Sequence, residues 1–203
     1  MDQTNQNTNF TPSSKLNFVI GICAITISLA SFVATYFQAQ SEAAQAKAMT
    51  YPLIQFTSSN YDMSTNRQIL KLQLKNQGVG PALIKKVKYH YKDQDFSNLN
   101  DFLQACCKPG MEQFAAQVKQ GEFNQSVEFA LITSTTAQVI LPANDSINAL
   151  ALARHEGNDT LWQALNQERW DLSLSVCYCS LLQQCYVSKG IEDIKEVSDC
   201  REF

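Results

Sequence analysis

The cysteines are the residues of this 203-residue chain with the most chemistry in them, and there are seven. Cys106, Cys107, Cys177, Cys179, Cys185 and Cys200 lie in the second half, while Cys23 sits in an uncharged stretch and reads as a small apolar filler. An even set in one region predicts disulfides and an oxidising compartment. Cys177 and Cys179 are two apart in a strand-like run, so they share a face at ~7 Å, too far for a bond to each other. They oppose the stripe Trp170, Leu172, Leu174, Val176 and Tyr178, the expected core face. A helical segment carrying Cys106 and Cys107 is the expected cover for the cysteine side. With the adjacent pair set aside, the expected pairing joins 106/107 to 177/179, with Cys185 or Cys200 in another bridge. Each bridge is expected to contribute ~2–5 kcal/mol.

Rival chemistries fit the spacing less well. A thiol oxidoreductase places Cys-x-x-Cys at a helix start, where the dipole lowers a thiol pKa, and this chain has Cys-x-Cys within a strand. Zinc sites pair Cys-x₂₋₄-Cys with a second such pair, and His90 and His155 have no ligand spacing to each other. A soft thiolate cluster for Cu(I) is the remaining metal alternative. His90 reads as a solvated strand residue on the Lys86/Lys88 face, and His155 as a turn residue. No Gly-x-Ser-x-Gly elbow occurs for Ser/His/Asp catalysis. Asp93/Asp95 and Glu192/Asp193 read as solvated loop charge, with calcium the weaker alternative. Lys85, Lys86 and Lys88 read as a charged sheet edge that discourages aggregation, or as a contact for anionic headgroups. With Lys plus Arg 16 against Asp plus Glu 19, the net charge is −3, which excludes a nucleic-acid binder built on excess basic residues.

Asn76, Gly78, Gly80 and Pro81 form a second pattern. Gly78 and Gly80 permit positive φ, Pro81 pre-sets the following strand, and the Asn76 side chain can cap the turn. A phosphate loop needs a following helix and a Lys-Ser/Thr, whereas a strand-like run follows here. The reading is therefore a structural turn.

These residues need elements to hold them. Leu16 to Phe37 is 22 residues without a charge. As a helix it is ~33 Å long, enough for a bilayer core of ~30 Å. Its Thr and Ser hydroxyls can bond back to helix carbonyls. A cleaved signal peptide has a shorter apolar region, although Ala44-Gln45-Ala46 offers a cleavage site. Lys15 and Lys47 flank the span evenly, so orientation rests on the cysteines: residues 1–15 are expected as a polar cytoplasmic tail, 16–37 as the span, 38–50 as a helical stalk rich in Ala and Gln, and 51–203 outside the cytoplasm.

From Tyr51 the apolar period becomes two. Strands are expected at 51–56, 69–75, 82–91, 126–133, 137–141, 146–153, 170–179 and 185–188. Helical pieces are expected at 99–107 and 111–119, broken at Pro109-Gly110, and from an Asn158 or Asp159 cap to about Glu168. The fold class is mainly β: a transmembrane helix, then an antiparallel β-sandwich with short helical insertions.

The run Leu72 to Ile84, with Asn76-Gln-Gly78-Val-Gly80-Pro81-Ala82, resembles an Asn-x-Gly-x-Gly-Pro-Ala segment of uncharacterised bacterial single-pass inner-membrane proteins. Val176-Cys-Tyr-Cys-Ser180 followed by Cys185-Tyr186 is similar to their later Cys-Tyr-Cys-Ser and Cys-Trp, with Tyr186 in place of the tryptophan. The resemblance spans about residues 16 to 190. It implies an inner-membrane anchor and a periplasmic β-domain, and brings no activity, ligand or catalytic residue. The expected function is a non-catalytic, cofactor-free module that binds or scaffolds another envelope protein. The alternative is a cysteine-based thiol-redox or metal-handling protein.

Overall fold

The computed structural model describes residues 14–119, 131–190, 193–201 and 203. Residues 1–13 of the tail expected at 1–15, residues 126–130 of the strand expected at 126–133, and Glu192 of the second acidic pair lie outside the described residues. The chain divides into two units after Ala46, the second being Lys47–Phe203.

The first unit is carried by helix α1, Ser14–Met49, whose 36 residues include no buried one. It is long and apolar enough to cross a membrane. The hydroxyls turn inward as expected: Thr26 donates to Cys23 O, Ser28 to Ala24 O and Thr35 to Ser31 O, at 2.8–2.9 Å.

The second unit is mainly antiparallel β. Four strands, β1 (Ile54–Ser59), β2 (Ile69–Asn76), β7 (Ser146–Ala153) and β5 (Leu131–Thr133), form one sheet in the order β1-β2-β7-β5. The other sheet holds β3 (Ala82–Tyr91), β4 (Gln94–Phe96), β8 (Leu172–Cys179), β9 (Cys185–Lys189) and β10 (Asp193–Val197). Its order is β10-β9-β8-β3-β4, with β6 (Val139–Leu141) also paired to β3. Alternation makes the core. Leu70, Leu72 and Leu74 of β2 and Leu150 and Leu152 of β7 join Ile84, Val87 and Tyr89 of β3 and Leu174, Val176 and Tyr178 of β8 in one buried cluster. Each such side chain contributes ~1.5–3 kcal/mol on leaving water.

Several expectations are corrected. Trp170 is not a core residue: it precedes β8, is 75% exposed, and stacks under the Arg169 guanidinium at 4.1 Å. Apolar alternation predicts neither β4 nor β10, because peripheral strands need little apolar surface and these two are short and charged. β3 is an internal strand, so Lys86 and Lys88 do not guard a sheet edge.

The helical insert is also different. Helix α2 (Leu99–Lys119) is interrupted at Cys107 (φ −134°, ψ 25°), ahead of Pro109-Gly110. A proline ring strikes the carbonyl four residues back, so the chain must leave helical geometry before Pro109 and can resume with it in the first turn. Helix α3 (Asp159–Glu168) buries Leu161, Trp162 and Leu165. It follows a 3₁₀ turn at Glu156–Asn158 that is capped by His155. A Cβ at Gly110 would lie 2.7 Å from Leu161 Cα, so α2 and α3 meet at a point where only glycine fits. Gly110→Ala must separate the helices and is expected to cost about 2 kcal/mol, read by urea unfolding.

The loop between β1 and β2 is held by Asp62. Its Oδ1 accepts from Ser64 N (2.9 Å) and Ser64 Oγ (2.6 Å), and its Oδ2 meets Lys71 Nζ at 2.6 Å. These donors, Lys71 first, hold the Asp62 carboxyl well below the usual range. A folded-state pKa below the unfolded one stabilises at pH above the unfolded value and is lost as pH falls. Asp62→Asn is therefore expected to lower stability at neutral pH and to flatten its loss below about pH 4, measured by urea unfolding across pH.

Candidate functional site

Three constellations hold the candidate residues, and the strand register sets each. The first is the Asn76 turn. Asn76 ends β2 fully buried. Its Oδ1 accepts from Leu53 N (3.1 Å) and Gly78 N (3.0 Å), and its Nδ2 donates to Gly80 O (2.8 Å), Leu141 O (3.2 Å) and Pro142 O (3.0 Å). Backbone bonds from Val79 N and Gly80 N to Tyr51 O, and from Gln77 N to Leu53 O, complete it. A Cβ on Gly78 would lie 2.4 Å from Tyr51 O, and one on Gly80 2.2 Å from Thr50 O. The glycines are thus required by close approach of residues 50–53, the first after α1. Pro81 leads into β3. This is a clamp on the point where the chain enters the β-domain, and it offers no phosphate cradle.

The second constellation is sulfur. All six cysteines are bridged, as Cys106–Cys107, Cys177–Cys200 and Cys179–Cys185. The expected link from α2 to β8 is overturned. The outer face of β8 is covered by the C-terminal segment, which packs Cys200 and Phe203 with Cys177, Cys179, Cys185, Val187 and Val197. A helix points neighbouring side chains apart, which argues against an adjacent pair, and the non-helical Cys107 removes that objection. Lys86 Nζ donates to Arg201 O (3.0 Å) and Phe203 O (3.1 Å), and Lys88 Nζ lies 4.9 Å from the Phe203 ring centre. These lysines fasten the tail.

The third is one that sequence reasoning missed. His90 Nε2 lies 2.6 Å from Ser175 Oγ, and His90 Nδ1 lies 2.6 Å from Asp95 Oδ1. His90 is therefore not a free solvated residue, and Asp95 is a β4 residue whose carboxyl is held below its usual range by that histidine first. The connectivity is that of an acyl-transfer triad. Its setting is not. Ser175 is 1% exposed in the middle of β8, between Lys88 of β3 and Lys189 of β9. A strand flanks β8 on each side at this position, unlike the exposed turn on which an acyl-transfer serine sits. Only the strand register, pairing residues far apart in sequence, brings these three together.

The remaining candidates stay apart. His155 is half-buried, its Nδ1 accepting from Gly157 N at 3.1 Å. Asp93 is exposed, and Asp193 pairs with Lys195 at 3.3 Å. Cys23 is the free cysteine among the described residues.

The chain matches no family model, no curated protein and no solved structure.

Proposed function

We propose that the chain is a single-pass inner-membrane protein of a bacterial envelope, anchored by residues 16–37, whose C-terminal β-domain lies in the periplasm and binds another envelope protein without catalysis. One observation carries the binding half of this reading. The turn between β2 and β3, the hairpin between β8 and β9, and β6 meet at one end of the domain, since Leu83 pairs with both Cys179 and Ile140. That end exposes Val79, Ile140, Leu181 and Leu182, each at least half accessible. Rigid turns with apolar tips suit partner recognition. Ser175 of the trio is buried and the six cysteines of the β-domain are paired.

Export is supported by the disulfides, which persist in oxidising compartments. Protease added to spheroplasts is expected to digest the β-domain; protection until lysis would place it in the cytoplasm. Crosslinking in intact membranes is expected to give a defined adduct that Leu181→Asp with Leu182→Asp abolishes. An adduct indifferent to that double variant would sink the assigned face. A fluorophosphonate probe is expected to leave Ser175 unlabelled; labelling that Ser175→Ala and His90→Ala both remove would establish an enzyme instead.

A further inference from the structure

The bridges Cys177–Cys200 and Cys179–Cys185 are not two separate staples. The sulfurs of Cys179, Cys185 and Cys200, drawn from both bridges, lie within 4.8 Å of one another, and Cys177 is bonded to the third of them. Four half-cystines therefore form one buried knot, none more than 8% exposed. Three elements deliver them. β8 gives Cys177 and Cys179 from one face, β9 sets Cys185 directly opposite Cys179, and the tail after β10 returns Cys200.

We propose that this knot is a redox-gated tetrathiolate site for a thiophilic cation, zinc(II) in the first instance. Four sulfurs around zinc stand about 3.8 Å apart, given Zn–S near 2.3 Å in a tetrahedron. The Cys200 sulfur lies within 4.8 Å of the sulfurs of Cys179 and Cys185, which are bonded to each other, and Cys177 is the one that must swing in. The bonded partners have to part by about 2 Å, which side-chain rotation about Cα–Cβ can supply. Val187, Val197 and Phe203, each partly buried, pack against the knot, and Lys86 and Lys88 bring two positive charges to the tail that carries Cys200. Those charges favour a site of net charge −2.

Opening the site needs a reductant, here a dithiol. Two dithiols each give two electrons and two protons to one bridge and leave as disulfides, producing four thiols. One zinc(II) then displaces the four thiol protons and forms four Zn–S bonds. The bridged form is the closed site. The site adjoins the partner-binding face, since Leu181 and Leu182 lie in the loop that Cys179–Cys185 closes, and zinc retention by the chain alone is read without a partner.

The test uses the full chain in detergent micelles with zinc(II) alone as the probe. After reduction by a dithiol and its anaerobic removal, one zinc per chain is expected to survive gel filtration. Peptide mapping is expected to find Cys177, Cys179, Cys185 and Cys200 protected from alkylation, and cobalt(II) substitution to give a thiolate-to-cobalt charge-transfer band. The unreduced chain is expected to hold no zinc. Cys106→Ser with Cys107→Ser is expected to change nothing, and Cys200→Ser to weaken retention by more than the ~100-fold typical of losing a group hydrogen-bonded to a ligand. Mapping needs no variant, so a misfolded Cys200→Ser leaves the test intact. No zinc after reduction, zinc retained equally without reduction, protection of fewer than four of these thiols, or zinc lost with the 106/107 pair would each overturn the assignment.

Discussion

Asn76→Asp is expected to destabilise the β-domain by about 4 kcal/mol at neutral pH. The two side chains have nearly the same shape, so the change isolates chemistry. Asn76 accepts two backbone N–H bonds through Oδ1, which aspartate can keep. Its Nδ2 donates to the carbonyls of Gly80, Leu141 and Pro142, and aspartate has no donor there. A second carboxylate oxygen would face three carbonyl oxygens in a site with no exposure. The charged form is disfavoured, so the introduced carboxyl is expected to titrate above its unfolded-state value. Its penalty is then small at low pH and grows as pH rises past about 4, where the unfolded chain ionises first. Asn76→Ala, which leaves donors and acceptors unpaired without adding charge, is expected to cost about 3 kcal/mol and to show no such pH dependence. Urea unfolding of the chain in micelles at several pH values checks both. A loss under about 1 kcal/mol for the aspartate variant would mean that the clamp on residues 50–53 does not carry the domain.

The contrast between the clamp and the triad-like trio shows what a linear reading can reach. β3 and β7 have the bounds that the sequence pattern predicts, because each is an apolar-rich run bracketed by turn residues, although β3 changes phase at a bulge between Ile84 and Lys86 and β7 buries Ala149 to Leu152 in succession. The Asn76 turn is legible as a turn because its residues are local, but the expected reason for its glycines is corrected: neither Gly78 nor Gly80 takes a positive φ. That the glycines are needed for contact with residues 50–53 is not legible, since the contact crosses from one strand to the next. His90, Asp95 and Ser175 are invisible as a group for the same reason, magnified by an 85-residue separation between His90 and Ser175. β10 escapes by a different route: its Asp-Ile-Lys-Glu-Val pattern is half charged, and a terminal strand with one neighbour tolerates that.

The expected cysteine pairing fails because it sets aside the adjacent pair, which the structure joins. Helix geometry argues against joining adjacent cysteines, and Pro109 removes the helix at that point. The corrected pairing has its own consequence for stability. In the loop-closure picture a bridge stabilises by restricting the unfolded chain, and the restriction grows with the length closed. Cys177–Cys200 spans 23 residues, Cys179–Cys185 six and Cys106–Cys107 one. Replacing the first pair by alanines is expected to cost about 3 kcal/mol, the second about 2, and the third little beyond local effects. For a domain of this size about 3 kcal/mol corresponds to a Tm lower by roughly 6–12 °C. The first pair should show more than the loop term alone. Without Cys200 the tail is held over β8 by the contacts of Lys86, Lys88 and Phe203, and the Val187 and Val197 surface becomes more exposed with its loss. Thermal scans of the three double variants under non-reducing conditions give the ranking. A Tm that falls most for the 106/107 pair would mean that the bend in α2, not the closing of the C-terminal tail, is what the cysteines secure.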